Sequence, residues 1–181
     1  MDCRTKRRHL KRQPGGTLLG RMTWLAALAL LAISLPLAGA AETFSQPADD
    51  VWLGGPPDES DLDELKTQGV EWVIDLRTPE EDIEDTATAA TARGMRYVNV
   101  PLGSEFADDE VMATVSLALD EAREDGAGVL LHCASGNRAG EVWALHRVAE
   151  GADTKTALAE AEAAGTRDER LERLKRVLEG E

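Results

Sequence analysis

A short apolar run that leads into a tight loop and then into a helical pattern constrains this chain more than any other stretch. Residues 128–131 are apolar, partly β-branched and preceded by an Asp-Gly turn signal, so they predict a buried strand. Val142, Leu145 and Val148 recur at helical spacing and predict a helix that follows closely. The nine residues 132–140 must therefore carry the chain from the end of a strand into the start of a helix.

This loop contains a cysteine and an arginine, Cys133 and Arg138. A turn between a strand and a helix directs several backbone N–H groups, and the positive end of the helix dipole, at one spot. A cysteine beside an arginine at such a helix N-terminus favours the nucleophilic thiolate form. The sequence therefore predicts a nucleophile at the floor of an anion-binding cradle. The alternative is that Cys133 is a small buried hydrophobe.

Residues 1–40 have the pattern of a secretory signal peptide. A basic stretch precedes an apolar run over residues 22–37, which is short for a membrane span, and Ala38-Gly39-Ala40 is a small-residue cleavage site. We expect cleavage after Ala40 and a secreted or periplasmic domain, and an uncleaved leader is the alternative and the only expected route to a membrane. Residues 41–50 are expected to form a flexible segment, and residues 51–181 the folded domain.

The part of the chain that follows the leader is strongly acidic. The leader holds seven of the 20 Lys and Arg residues and one of the 34 Asp and Glu residues, which leaves 13 basic and 33 acidic side chains and a formal net charge of −20. Because this balance leaves no large basic patch, nucleic acid is not expected as a partner. Cys133 is the one cysteine after the leader, so no disulfide is expected within the domain.

Three further apolar segments predict strands that alternate with helical patterns, at residues 51–53, 70–77 and 95–102. This alternation predicts an α/β fold with a small, mostly parallel central sheet flanked by helices, and residues 154–178 add a helical C-terminal tail. Ligands of such sheets bind outside the carboxyl ends of the strands. Asp75 and Arg77, the loop of residues 101–107 and the cysteine loop all follow predicted strands, so we expect them to converge on one rim.

Several side chains carry expectations about packing. Leu171, Leu174 and Leu178 stand at three- and four-residue spacing and predict the stripe by which the last helix docks on the domain. Ser60 is expected to cap the first helix. His146 is expected to lie on the surface of the helix that follows the cysteine loop.

The motif His132-Cys133-x-x-Gly136-x-Arg138 resembles the signature of cysteine-dependent protein phosphatases, particularly the dual-specificity type. Upstream stretches resemble one bacterial group, the beta-lactamase hydrolase-like phosphatase domain: Gly54-Gly55-x-Pro57, residues 73–77 and residues 94–101. The similarity covers about residues 51–150. It implies a dual-specificity phosphatase-like fold and a phosphoric monoester hydrolase that acts on a phosphorylated small molecule or protein. Neither a cofactor nor a metal is implied.

The resemblance gives roles to the residues of the loop. Cys133 would attack phosphorus as a thiolate and form a cysteinyl-phosphate, and Arg138 would hold two phosphate oxygens. The remaining negative charge would be taken by phosphate-binding backbone N–H groups, those of Ala134, Ser135, Gly136, Asn137 and Arg138. The general acid of this superfamily usually lies where Asp108 and Asp109 stand. One of these two is also suited to cap a helix, and Glu105 is a weaker candidate for the acid.

Three residues are expected to support the loop: His132, Asp75 and Arg77. Asp75 and Arg77 are favoured as a structural ion pair over a direct contact with substrate. His132 is equally suited to orient the loop and to be a histidine of the core.

Two features depart from the usual phosphatase pattern. Four residues, rather than five, separate Cys133 from Arg138, and Ala139 stands where a Ser or Thr normally helps the thiolate to leave, for which Ser135 is the available substitute. The short loop is typical of the bacterial phosphatase-like domains just named, and it also occurs in rhodaneses, sulfurtransferases whose cysteine carries a persulfide. Residues 73–81 resemble the rhodanese family too. A rhodanese-like sulfurtransferase or persulfide carrier, and a non-catalytic phosphate-binding module, are therefore the alternatives.

Overall fold

The computed structural model of the protein describes residues 43–180. Its five strands are Phe44–Ala48 (β1), Val51–Gly54 (β2), Val70–Asp75 (β3), Arg96–Asn99 (β4) and Gly128–His132 (β5). They form one sheet in the order β1-β2-β5-β3-β4, in which β2, β5, β3 and β4 are parallel and β1 is antiparallel to β2. The predicted α/β fold with a mostly parallel sheet is confirmed.

Within residues 43–180, six α-helices accompany this sheet: Glu59–Thr67 (α1), Glu84–Ala92 (α2), Asp109–Asp125 (α3), Asn137–Ala149 (α4), Thr154–Ala164 (α5) and Asp168–Glu179 (α6). A short 3₁₀ helix, Pro79–Glu81, follows β3. Because successive side chains of a strand point to opposite faces, each strand contributes to two cores. Val129 and Leu131 of β5 pack toward α3 and α4, whereas Leu130 packs toward α1 and α2.

Strand β5 lies at the centre of the sheet. All five of its residues are buried, and it pairs in parallel with β2 on one side and with β3 on the other. A strand that is covered on both faces needs apolar residues at every position, which explains its unbroken apolar run. The loop that follows β5 therefore leaves the sheet between the ends of β2 and β3.

The last two helices, α5 and α6, pack on α4 and form a third apolar cluster. Leu174 of α6 is wholly buried in it, against Ala144, Ala157 and Ala161, and Leu171 and Leu178 lie partly buried beside it. The predicted docking stripe of α6 is thus the stripe that the structure uses.

Three sequence-based expectations are corrected by the structure. Residues 44–48 of the expected flexible segment form β1, an edge strand that tolerates Pro47 because edge positions need not donate to a neighbour. Asp58, rather than Ser60, caps α1, since its carboxylate accepts the N–H of Asp61 at 2.8 Å. His146 is buried because α4 is covered on nearly all sides.

The predicted leader, residues 1–40, lies outside the described residues, as do residues 41 and 42 of the expected flexible segment. Within residues 43–180, no helix combines the length and the apolar character that a membrane span requires.

We expect Leu174→Ala to lower the free energy of unfolding by about 2–5 kcal/mol, because truncating a fully buried leucine leaves a cavity. Urea denaturation of the two proteins measures the difference. Val177→Ala on the same helix is the matched control, since Val177 is 51% exposed. Equal losses in both variants would contradict the docking of α6 through Leu174.

Candidate active site

The loop after β5 turns through a glycine. Gly136 is the N-cap of α4 and has a φ of 79°, a left-handed conformation that favours glycine. A Cβ at this position would also collide with the backbone carbonyl of Ala164 at the end of α5. Glycine is therefore required twice at position 136, for the backbone angle and for the close approach of α5.

Cys133 lies at the base of this turn. Its side chain is wholly buried, and its own N–H donates to the carbonyl of Gly54 at 3.2 Å. Above it, the N–H groups of residues 134–138 donate to no acceptor within residues 43–180. Five unpaired backbone donors around a cysteine, at the N-terminus of a 13-residue helix, make the predicted anion cradle.

Arg138 lies in the first turn of α4 and is held by Glu81. Its two terminal nitrogens, Nη1 and Nη2, donate to the Glu81 carboxylate at 2.8 Å and 2.6 Å, and Nη1 also donates to the carbonyl of Leu102 at 2.6 Å. These contacts use three of the five N–H donors of the guanidinium, so the Nε–H and one Nη2–H remain. The Cys133 side chain is also a hydrogen-bonding neighbour of Arg138 and raises its pKa. Glu81 thus fixes Arg138 end-on and leaves one edge of the guanidinium for an anion.

The charge of Glu81 is strongly stabilised in this arrangement. Its hydrogen bonds from Arg138 lower the pKa of Glu81 to about 2, and the N–H of Thr78 contributes in the same direction. Glu81 also raises the pKa of Arg138 above its ordinary value. Both groups are therefore ionised at any pH near neutrality, and the fork is a permanent part of the site.

Asp75 and Arg77 form the expected ion pair beneath the loop. The Arg77 Nη2 donates to Asp75 at 2.7 Å and to Thr86 at 2.8 Å, and both charged side chains are buried. Tyr97 also donates its hydroxyl to Asp75, at 2.8 Å. Burial opposes the charge of Asp75, but the hydrogen bonds from Arg77 outweigh it and the pKa of Asp75 is lowered. Arg77 therefore faces Asp75 and Thr86, in a structural role.

His132 is wholly buried between the loop and this ion pair. Its Nε2 lies 3.5 Å from the nearer carboxylate oxygen of Asp75. Burial lowers the pKa of His132 to about 4, so the ring is neutral near pH 7. The structure thus places His132 in the core next to Cys133, with neither ring nitrogen hydrogen-bonded among the described residues, and its support of the loop stays a prediction.

The two predicted acids lie at the start of α3. Asp108 is the N-cap of this helix, and its Oδ1 accepts the N–H groups of Glu110 and Val111 at 3.1 Å and 2.9 Å. Asp109 is the first residue of the helix and is exposed. Neither residue lines the cleft beside the cysteine loop, and Glu105 does not line it either. Both remain predictions as general acids, and the capping interaction predicted for one of them falls on Asp108.

Glu105, the weaker candidate for the acid, lies next to a residue that lines the cleft. Its carboxylate folds over Gly103, because a Cβ at position 103 would lie 2.5 Å from the Glu105 Oε2. Gly103 itself lines the cleft beside the cysteine loop. The exposed Glu105 therefore holds its carboxylate against a residue of the cleft wall, on the segment between β4 and α3.

The cleft has a volume of about 380 Å³. Eight residues line it: Thr78, Glu81, Gly103, Ser104, Ser135, Asn137, Arg138 and Arg170. The three segments predicted to converge, which follow β3, β4 and β5, all contribute residues to this cleft. Asp75 and Arg77 themselves do not line it. Ser135 is exposed in the cleft, whereas Ala139 is wholly buried in the core. No group of three metal-ligating side chains occurs within residues 43–180.

Sequence reasoning missed Glu81 and Arg170. Glu81 stands in the segment 73–81, which resembles rhodaneses, but that resemblance gives no role to this carboxylate. Arg170 belongs to α6, which was expected only to dock on the domain. Neither carries a local pattern that distinguishes it from the other charged residues nearby.

The fold recurs in solved structures. A DUF442 protein of Shewanella putrefaciens CN-32, described as a candidate phosphatase, is 21% identical over 78% of this chain and 95% of its own, with a TM-score of 0.61. Tk-PTP in its active form is 20% identical over 76% of this chain and 97% of its own, with a TM-score of 0.62. A cysteine-to-serine variant of P. aeruginosa TpbA in complex with pTyr is 18% identical over 79% of this chain and 94% of its own, with a TM-score of 0.59.

The TM-scores show that these proteins share the fold of this chain, and at such low sequence identities the similarity shows the fold alone. No curated protein sequence matches the chain. The fold and the cysteine loop define a phosphatase-like protein of the cysteine-dependent class. Residues 50–150 match the family described as beta-lactamase hydrolase-like protein, phosphatase-like domain. The chain belongs to this family, and the predicted resemblance and phosphatase class are confirmed.

The buried histidine makes the stability of the domain depend on pH. Because the pKa of His132 is about 4 when folded and its ordinary value is 6.5, the unfolded chain binds one more proton between these values. Stability should therefore fall as the pH drops from 6.5 to 4, by on the order of 3 kcal/mol from this residue. Urea denaturation across this range should show a shallower pH dependence for His132→Gln. If the free energy of unfolding depends on pH equally in the two proteins, His132 is not the source of the pH dependence.

Proposed function

We propose that this chain hydrolyses phosphate monoesters through a cysteinyl-phosphate on Cys133, as a secreted or periplasmic enzyme. The observation that carries the proposal is the set of unpaired donors above Cys133. The five N–H groups of residues 134–138 are unpaired within residues 43–180, and they belong to the loop that carries Cys133 and Arg138. A dianionic phosphoryl group matches this number and direction of donors. The leader predicted in residues 1–40 supports the location.

In the first step the Cys133 thiolate attacks phosphorus, and an S–P bond forms while the P–O bond to the leaving group breaks. The charge that builds on the equatorial oxygens is held by the backbone donors and by the Nε and Nη2 of Arg138. Preorganised donors of this kind contribute about 3 kcal/mol each to transition-state stabilisation. The loop holds them in place before substrate arrives, because Gly136 and α5 fix its path.

The leaving oxygen takes a proton, for which we propose Glu105 as the donor. Its carboxylate lies against Gly103, which lines the cleft, and Asp108 is occupied as a helix cap. In the second step water attacks phosphorus and gives its proton to the Glu105 carboxylate. The S–P bond breaks, which restores the thiolate and releases inorganic phosphate. The hydroxyl of Ser135, exposed in the cleft, takes the place of the missing hydroxyl at Ala139 in stabilising the departing thiolate.

The proposed substrate class is an aryl phosphate such as phosphotyrosine. TpbA, which shares the fold, was solved as a cysteine-to-serine variant in complex with pTyr. The cleft of this chain is small and lies at the surface of an acidic domain. A flat aromatic ester with a single phosphate meets less repulsion there than a polyanionic substrate does.

The sulfurtransferase alternative rests on the four-residue spacing between Cys133 and Arg138. It shares the thiolate and the anion cradle but needs no proton donor for a leaving alcohol. Transfer of sulfur from thiosulfate to cyanide without phosphatase activity would move the chain to that function. Phosphate binding without either turnover would leave a binding module.

We expect the mature domain to hydrolyse 4-nitrophenyl phosphate under reducing conditions. Cys133→Ser should lower kcat by about a thousandfold or more, because the substituted hydroxyl is not ionised and the loss of a nucleophile removes the covalent path. Release of 4-nitrophenolate measures the rate. A Cys133→Ser protein that keeps wild-type activity would overturn the covalent mechanism.

The proton donor is tested by Glu105→Gln beside Asp109→Asn, two variants that each replace one exposed carboxylate with an amide. Glu105→Gln should lower kcat for phenyl phosphate about a hundredfold and abolish the basic limb of the pH profile, because the amide cannot donate the proton. Asp109→Asn should stay near the wild-type rate. The reverse outcome, with the larger loss in Asp109→Asn, would return the acid to the start of α3.

A further inference from the structure

A buried ion pair joins α4 to α6 next to the cleft. Glu141 follows Arg138 by one helical turn, and its side chain is wholly buried. Arg170 of α6 donates to this carboxylate, and its own side chain is 12% exposed. Arg170 also lines the cleft beside Arg138. A charge pair thus adjoins the cleft that Glu81 and Arg138 also line.

Both members of this pair hold the segment between β4 and α3. The second oxygen of Glu141 accepts the backbone N–H of Ala107 at 2.7 Å. The Nη2 of Arg170 donates to the carbonyls of Ser104 and Gly103, at 3.0 Å and 3.4 Å. The segment 103–107 is therefore tied near both of its ends by side chains from other helices. Glu105 lies between these ties.

Burying the Glu141–Arg170 pair costs desolvation energy, which reduces its contribution to the stability of the fold. Burial raises the pKa of Glu141, and the hydrogen bonds from Ala107 and Arg170 do not fully offset it. Buried ion pairs of this kind are often no more stabilising than apolar residues of the same size. Their geometry is specific, however, because charge-assisted hydrogen bonds require each donor and acceptor to be in a defined position. What the pair does provide is three fixed hydrogen bonds to the backbone of the segment 103–107.

We propose that Arg170, held on Glu141, is a positioning residue that fixes the segment 103–107 so that the Glu105 carboxylate faces the leaving group. The proposal rests on the proposed function, in which Glu105 is the proton donor. Arg170 lies outside residues 50–150, the part that matches the family model. The C-terminal helix therefore completes the site from outside that part.

The experiment compares Arg170→Gln, Arg170→Lys and Arg176→Gln on two substrates. Arg176 is an exposed residue of the same helix and serves as the matched control. Phenyl phosphate has a poor leaving group that needs a proton, whereas 4-nitrophenyl phosphate has a good one that needs it less. We expect Arg170→Gln to lower kcat at least about tenfold for phenyl phosphate and to leave 4-nitrophenyl phosphate within about threefold. Arg170→Lys should recover only part, because lysine lacks the planar fork.

A second comparison separates positioning from general weakening. In Glu105→Gln the donor is already absent, so Arg170→Gln added to it should cause little further loss of kcat for phenyl phosphate. Independent effects would multiply. Multiplied losses, or equal losses on both substrates, would overturn the proposal while leaving the covalent mechanism intact. Wild-type inactivity on both substrates would overturn the proposed function instead.

Hydrogen exchange gives a readout that does not depend on turnover. Arg170→Gln should speed amide exchange in residues 103–107, including Ala107, and Arg176→Gln should not. Unchanged exchange there would overturn the proposal whatever the activity. If Arg170→Gln fails to fold because it leaves Glu141 as an unpaired buried charge, Glu141→Gln/Arg170→Gln removes that charge and enters the same comparisons.

Discussion

The left-handed turn at Gly136 is the constraint on which the whole site depends. It lets the chain pass from the central strand into α4 while the N–H groups of residues 134–138 stay unpaired and point together. It also lets the end of α5 approach the loop backbone, where any Cβ at position 136 would strike the carbonyl of Ala164. The anion cradle and the C-terminal helices are therefore parts of one packed unit.

Three arginines arranged around this turn are each fixed by a carboxylate. Arg77 is held by Asp75 below the loop, Arg138 by Glu81 at its side, and Arg170 by Glu141 behind the rim. The three arginines differ in whether they reach the cleft. Arg138 and Arg170 line the cleft, whereas Arg77 is buried against Asp75 and Thr86 and serves the framework. Fixed charges of this kind need not reorganise when a phosphoryl group arrives.

Periodicity predicted the parallel strands and most of the helices, since a strand or helix that faces a core must repeat its apolar residues. Cys133, Arg138 and the Asp75–Arg77 pair were found because short motifs place them within a few residues of strand ends. Glu81 and Arg170 were not, because each meets its partner far along the chain. His146 was misplaced because α4 has almost no solvent-exposed face: the helix is enclosed by the sheet, α3, α5 and α6.

The pairing of the cleft arginines has a kinetic consequence for a domain of net charge −20. Because Glu81 and Glu141 offset Arg138 and Arg170, the cleft adds little long-range attraction to a strongly repulsive surface. A dianionic ester therefore approaches against the field and is captured only at hydrogen-bonding range. Its association rate should rise with ionic strength, opposite to that of an electrostatically steered enzyme, because salt screens the distant repulsion before it weakens the enclosed contacts.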